Sequence, residues 1–552
     1  MKITHLYLGI ALVLGFAMPT LGQQSIPTQK LDSLLEILLI PEVPGGGVLI
    51  AKNDQIVFER YFGFANLEYA SKTNEKSLFR IGSLTKQFTA VAILKLVQDD
   101  KLSLVDSIAQ FFPDSPEHFH SVTIKQLLNH TSGIKNITEL PQWKSEIESS
   151  KLSIDEIINL IWKQEPYFKP GTDFHYSNSN YVVLGKIIES ASDMDYSSFL
   201  DQHLFEPLEM KHSFCDHQKE IIPFRVSGYK KISSRLENAA FINMNLPFGA
   251  GGLLMNLRDF WIWDKALNSG AIIPISLLDQ AQSPTLTTSG KKIGYGFGWS
   301  IGDLQSHRTI KHSGYINGFS SFAISIPDQS VHLMIFTNLE NYWDLEKTAS
   351  ILLAEMIGKS FVVKSPTQVS IASLANKVGD YRNENQETLR IILQEGNLYS
   401  CIPGGSKSRL IPIDHHIFQL ENSLTRLQFD EDSSDSFTYK DLGIPASFEK
   451  NHAVPSGNWI YNTLSLGETQ IKEYLGSYQF ENGPEFKILR EGDKFYGSVG
   501  SDKKEIIPYK KDHFFAKDLD AELRFYRDEK NKIIGLIKIQ GGGEMKAPRI
   551  SN

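Results

Sequence analysis

Apolar and polar positions follow two rhythms along this chain, and the change between them divides it. Residues 45–64, GGGVLIAKNDQIVFERYFGF, hold two apolar runs around Asn53-Asp54, which predicts a β-hairpin. The stretch 79–100, FRIGSLTKQFTAVAILKLVQDD, opens at Gly82-Ser83. It then carries Leu84, Phe88, Val91, Ala92, Ile93, Leu94 and Leu96 on nearly every side, the pattern of a helix buried inside a domain and started by Ser83. A short helix, IKQLLNH, follows within 122–134 and ends at Ser132-Gly133, and a mixed helical stretch runs to about residue 163. Pro170-Gly171 breaks the chain ahead of a helix marked by Tyr181, Val182, Leu184, Ile187 and Ile188. Residues 249–252 lead into LLMNLRDFWIWDKAL, read as helical. Strands over 295–301 and 319–326 flank the segment Lys311-His312-Ser313-Gly314, and a strand through Leu333, Ile335 and Phe336 and a helix over 344–357 close the region. Strands at both ends with helices between them predict one α+β domain, an antiparallel sheet flanked by helices.

After residue 364 the helical period disappears and short β-type segments take over, with an internal repeat. Val378-Gly379-Asp380-Tyr381 matches Leu475-Gly476-Ser477-Tyr478, and Leu410-Ile411-Pro412 matches Ile506-Ile507-Pro508. Each copy reads as a small all-β meander or barrel. The expected organisation is a first domain over 23–364, one β-rich repeat over 365–455 and a second over 456–552. Residues 1–22 read as a secretory signal, with Lys2 and His5 ahead of an apolar run at 6–18 and small residues up to Gly22. That run is shorter than the roughly 20 residues of a membrane-spanning helix. The expectation is a mature chain exported to the periplasm or secreted, without a membrane span.

Composition narrows the partners. A formal charge of −8 over 552 residues, with no basic cluster, argues against nucleic acid, so a small molecule or short peptide is the expected substrate. Cys215 and Cys401 fall in different predicted domains, which argues against a disulfide and predicts two buried free thiols. The histidines show no metal-ligand spacing, so no metal or other cofactor is expected.

The candidate chemistry begins at Ser83. Lys86 follows at i+3, on the same face of the first helical turn, and a lysine in an apolar setting has a lowered pKa and can help remove a serine proton. Six S-x-x-K matches occur, and only the one at Ser83 opens a long apolar helix. Tyr176-Ser177-Asn178 sits on the turn entering a later helix. A phenol near cationic Lys86 would lose some of its high pKa and exchange a proton with Ser83, and the sequence leaves open which of Tyr176 and Lys86 does so. Asn178 can hold Lys86 and a substrate amide, or simply cap its helix. His312-Ser313-Gly314 is the one H-x-G in the chain; near a strand it would line the substrate edge, with Gly314 allowing close approach of a bound acyl group.

The order S-x-x-K, Y-x-N, H-x-G resembles the serine β-lactamase and penicillin-binding-protein superfamily, closest to its class C branch and the related esterases and D-aminopeptidases. LLNHTSGI at 127–134, PGTDFHYSN at 170–178, GAGGLLMNLRDF at 249–260 and YGFGWSI at 295–301 are similar to that family as well. The resemblance covers about residues 30–357 and implies a β-lactamase/transpeptidase-like fold, with the terminal repeats resembling β-barrel modules carried by some members. It implies an acyl-enzyme on Ser83, a proton shuttle through Lys86 and Tyr176, substrate contacts from Asn178, His312 and Gly314, and an oxyanion hole from the backbone N–H groups of Ser83 and Tyr315. His312 stands where the family often has a lysine, and an ordinary histidine is mostly neutral at pH 7. Esters, amides or D-amino-acid peptides are therefore expected ahead of β-lactams. The alternatives are a true β-lactamase or D,D-peptidase and a non-catalytic binding protein of the same fold.

Overall fold

The computed structural model describes residues 28–551 apart from 40–43, 218, 233–234, 343–344, 360–365, 422, 432, 442–444, 454–458 and 482. The expected signal segment and both expected boundaries of the first repeat lie outside the described residues. Helix α1 (Thr28–Leu38) precedes strands β1 (Gly45–Lys52), β2 (Gln55–Asn66) and β3 (Ser71–Lys72). Helix α2 (Thr85–Gln98) follows, then α3 (Ile124–Leu128), α4 (Ile154–Trp162), α5 (Asn178–Ser192) and α6 (Leu257–Ser269). The domain ends with β4 (Ser300–Leu304), β5 (His307–Ile316), β6 (Phe319–Ile326), β7 (Val331–Thr337) and α7 (Leu345–Met356).

These strands form one sheet in the order β4-β5-β6-β7-β1-β2-β3, antiparallel at every pairing. The β1–β2 hairpin turns through Asn53 and Asp54, both at positive φ (50° and 62°), the tight two-residue turn that matches strand twist. Central strand β1 is apolar on both faces because both are covered. Val48 and Ile50 pack with Leu31 and Leu35 of α1 and Leu345, Ala349 and Leu352 of α7. Leu49 and Ala51 face the larger core built on α2, α5 and α6. Within that core Phe88 of α2 stacks on Trp263 of α6 with ring centroids 4.0 Å apart.

Three local expectations are corrected. Ser83 lies in a 3₁₀ turn, Gly82–Leu84, one step before the α-helix. Leu253–Met255 is a strand, not the start of a helix, because it pairs with Phe79–Arg80 and Ser213–Cys215. Lys311 to Gly314 lie inside β5 itself, while 295–299 precede β4. His, Ser and Gly are weak strand formers, but pairing to β4 and β6 on both sides overrides that. Both cysteines are free; Cys401 is buried, whereas Cys215, at the end of a three-residue edge strand, is half-buried.

The repeats are eight-stranded barrels. The first runs from Gly379–Asn383 to Ala446–Lys450, and its first strand closes it by pairing with both its second and its eighth. Ile460–Tyr461 adds to this sheet in parallel with Thr388–Gln394. The second, from Gly476–Gln479 to Gly543–Ser551, is also closed. Phe515 of the second barrel packs in the core of the first, stacked on Tyr461 at 4.7 Å. The copies share one device: the Tyr381 hydroxyl lies 2.9 Å from the carbonyl of Lys377, sharing its proton with the Ser434 carbonyl at 2.7 Å, and Tyr478 donates to the carbonyl of Tyr474 (2.8 Å), each linking its first strand to the helix before it. Removing either hydroxyl leaves a buried carbonyl without that partner. Tyr381→Phe and Tyr478→Phe should therefore each destabilise their barrel by about 1–2 kcal/mol in chemical denaturation followed by circular dichroism. Unfolding curves that overlay the parent curve would show that these bonds do not hold the barrels.

Candidate active site

The site begins with a backbone contact. Gly82 has φ +52°, a conformation that favours glycine, and a Cβ there would sit 2.8 Å from the backbone nitrogen of Tyr315. Facing it, a Cβ on Gly314 would sit 2.0 Å from the carbonyl oxygen of Ile81. Gly314 thus makes room for the turn that carries Ser83. Ser321 of β6 donates to the same Ile81 carbonyl at 2.7 Å, which fixes the turn to the sheet. The backbone amides of Ser83 and Tyr315, adjoining the two glycines, are held by this contact on one side of the cleft.

Hydroxyl groups on α2 fix the opposite wall. Thr85 Oγ1 accepts from the Leu253 N–H (3.2 Å), and Thr89 Oγ1 donates to the Gly249 carbonyl (2.6 Å). Both hold the 248–253 segment against the helix, and with it the carbonyl of Ala250. Lys86 Nζ lies 2.8 Å from that carbonyl, 2.8 Å from Asn178 Oδ1 and 3.0 Å from Ser83 Oγ. The Lys86 side chain is fully buried, and among the described residues no carboxylate pairs with it. Burial holds its pKa well below the ordinary lysine value. Two of its three partners can only accept. A neutral amine has two hydrogens for them and one lone pair left for the Ser83 hydroxyl.

Asn178 is the first residue of α5, and its side chain does not cap that helix. Its Oδ1 accepts from Lys86, its Nδ2 donates to Thr138 Oγ1 (3.3 Å), and its backbone N–H donates to Asn136 Oδ1 (3.2 Å). Tyr176 is half-buried. Its ring centroid is 4.8 Å from Lys86 Nζ, and its hydroxyl shares a hydrogen bond with Ser83. Desolvation raises the Tyr176 pKa, with the Ser83 bond opposing it, so the phenol keeps its proton, contrary to the expected lowering by a cationic Lys86.

His312 is buried, and both ring nitrogens are engaged. Nδ1 lies 2.7 Å from the carbonyl of Ser313 and Nε2 2.9 Å from the Tyr295 hydroxyl, so Nδ1 carries the proton and Nε2 accepts from Tyr295. Burial is the main cause that pushes its pKa down to about 3, with a further push from Lys86 whenever that amine carries a proton, and this leaves His312 neutral. Lys311 points the other way, onto Glu346 of α7. Residues missed by the sequence reading complete the site: Thr138, Ala250 and Tyr295, and also His130, whose Nδ1 accepts from the Ser177 N–H (3.2 Å) and whose ring lies 4.4 Å from that of Tyr176. Ser83, Asn178, Tyr315 and Ala250 line one cavity of about 310 Å³.

Comparison with known proteins follows the same outline. The family described as Beta-lactamase matches residues 36–355. Penicillin-binding protein 4* of Bacillus subtilis (strain 168) is 27% identical over 437 residues, 74% of this chain and 95% of that protein. Protein flp of Staphylococcus aureus (strain MW2) is 27% identical over 368 residues, 64% of this chain and 70% of its own length. Among solved structures, the octameric penicillin-binding protein homologue from Pyrococcus abyssi aligns with 86% of this chain and 99% of its own, at a TM-score of 0.53 and 21% identity. D-amino acid amidase from Ochrobactrum anthropi SV3 in complex with L-phenylalanine amide aligns with 60% and 98%, at a TM-score of 0.54 and 22% identity.

The clamp between the turn and β5 is testable. In Gly314→Ala the new methyl meets backbone on one side and the Ser321 hydroxyl on the other, so the turn must move. The expected result is a folded protein destabilised by about 1–3 kcal/mol, with covalent labelling of Ser83 by an acylating probe slowed at least tenfold. Parent-like labelling would show that the turn does not depend on this contact.

Proposed function

Because the chain belongs to the beta-lactamase family and is a serine hydrolase, we propose that it cleaves an amide or ester through an acyl-enzyme on Ser83. The observation that carries this reading is Lys86 Nζ, buried, without a counter-ion among the described residues and 3.0 Å from the Ser83 hydroxyl. Lys86 takes the Ser83 proton as Oγ bonds to the substrate carbonyl carbon. The backbone N–H groups of Ser83 and Tyr315 receive the oxyanion, to which such donors contribute a few kcal/mol. Tyr176, still protonated and bonded to Ser83, gives its proton to the leaving nitrogen or oxygen and is reprotonated from Lys86. Water then enters and bonds to the acyl carbon while the same pair takes its proton, the pair returns a proton to Ser83 Oγ as the acyl–Oγ bond breaks, and the acyl group leaves as a carboxylic acid.

The substrate side follows from charge. A β-lactam or D,D-peptide substrate brings a carboxylate, and neutral His312, bonded on both nitrogens, offers it no standing positive charge. D-amino-acid amides, short peptides and small esters fit better, in keeping with the amidase named among the fold neighbours. We place the reaction outside the cytoplasm on the strength of the amino-terminal sequence.

The test is mapping of the adduct. A fluorescent phosphonate or penicillin should label the protein, peptide mass spectrometry should place the adduct on Ser83, and Ser83→Ala should abolish it. A parallel screen of D-amino-acid amides, p-nitrophenyl esters and a chromogenic cephalosporin should show the cephalosporin turned over most slowly. Undiminished labelling in Ser83→Ala sinks the nucleophile assignment, and a dominant cephalosporin rate sinks the substrate reading.

A further inference from the structure

The cleft that holds Ser83 has an uneven charge inventory. Its lining includes three ionisable residues away from the nucleophile: Lys144, Glu148 and Glu340. Lys144 and Glu148 neutralise each other across 2.6 Å. Lys86, behind Ser83, is committed to Ser83, Asn178 and the Ala250 carbonyl. Glu340 is different: its Oε2 accepts from the Gly318 N–H at 3.2 Å, and no cation among the described residues pairs with it.

Glu340 is also held in place. It follows β7, and its backbone N–H donates to the Tyr229 carbonyl at 2.8 Å. Its carboxylate is fastened to the β5–β6 turn through Gly318, beside Asn317, whose side chain donates to the Ala240 carbonyl at 3.2 Å. The walls nearby are apolar, formed by Trp143, Ile242, Leu246 and Ile316. A partly exposed carboxylate with an unused oxygen, fixed beside an apolar pocket and a nucleophile, is complementary to a cation joined to an apolar group.

We propose that Glu340 is a specificity-determining residue that selects substrates bearing an ammonium beside an apolar side chain, that is, amides or esters of amino acids or short peptides with a free amine. This deepens the hydrolase reading and rests on it for the identity of the reacting bond. Glu340 supplies a charge-assisted hydrogen bond to the ammonium, the apolar walls take the side chain, and the carbonyl next to the amine-bearing carbon is presented to Ser83. An N-acylated substrate has no charge to offer and leaves the carboxylate without its partner.

The experiment compares leucine p-nitroanilide with its N-acetyl counterpart, in both D and L forms, on the full chain and on Glu340→Gln. The readout is the ratio of kcat/KM for amine over acetyl, which is insensitive to any loss of folded enzyme because both substrates share it. The parent should prefer the amine, and Glu340→Gln should cut that ratio about tenfold or more. An unchanged ratio, or a parent that prefers the acetyl compound, overturns the proposal. Turnover is not required: calorimetric titration of Ser83→Ala with leucinamide and N-acetyl-leucinamide, with and without Glu340→Gln, gives the same comparison as Kd. Binding preference for the amine without turnover or labelling would fail the hydrolase reading and keep the role of Glu340; equal binding, or none of either ligand, would fail Glu340.

Discussion

Burial of Lys86 without a carboxylate is the constraint around which the catalytic domain is arranged. A charged ammonium removed from water costs several kcal/mol unless it is paired, and the described neighbours of Lys86 are two carbonyl oxygens, a serine hydroxyl and aromatic rings. Desolvation therefore lowers the Lys86 pKa and favours the neutral amine, whose lone pair would face Ser83. Each wall contributes: the all-apolar α2 excludes water, Thr85 and Thr89 hold the Ala250 segment, and the start of α5 supplies Asn178. In the proposed reaction, the fold keeps Lys86 as a base beside Ser83 by offering it no counter-ion among the described residues.

The second requirement is placement, and it is met by the absence of side chains. Ile81-Gly82 and Gly314-Tyr315 touch backbone to backbone, so Ser83 is positioned against β5 by van der Waals contact and one hydrogen bond from Ser321. Such a contact has little freedom to relax, which suits the two amides that would face one developing oxyanion in the proposed reaction. His312 and Tyr295 then form a neutral, hydrogen-bonded pair behind Tyr176, with the His312 and Tyr176 ring centroids 6.1 Å apart. Cleft charge is left to the acidic side chain of Glu340.

Much of this was legible in the sequence because side chains carry it. The apolar run after Ser83 marks a buried helix, and the order Ser83, Tyr176, His312 marks the family. The alternating runs at 45–64 gave the hairpin, and the spaced Gly-x-Tyr pairs gave two related β modules. What was hidden involves backbone. The Ala250 carbonyl has no signature in residue type, the contact of Gly314 with Ile81 is made by backbone, and Lys311 to Gly314 lack strand-forming residues although both neighbours pair with them. Leu253–Met255 was masked in the same way, since a three-residue strand beside a helix has no period of its own. The Tyr176 pKa went in the unexpected direction because burial of the phenol itself raises it, an effect that residue type and spacing do not show.

The protonation state of Lys86 is the claim on which the rest stands, and it can be read directly. Protein carrying lysine labelled with ¹³C at Cε is titrated by NMR, with the Lys86 signal identified by its loss in Lys86→Arg. Burial predicts a Lys86 midpoint far below the cluster of exposed lysines, in the intact fold and without substrate. A Lys86 signal that titrates together with the exposed lysines would mean that the buried group is an ammonium, and the account of how Ser83 loses its proton would be wrong.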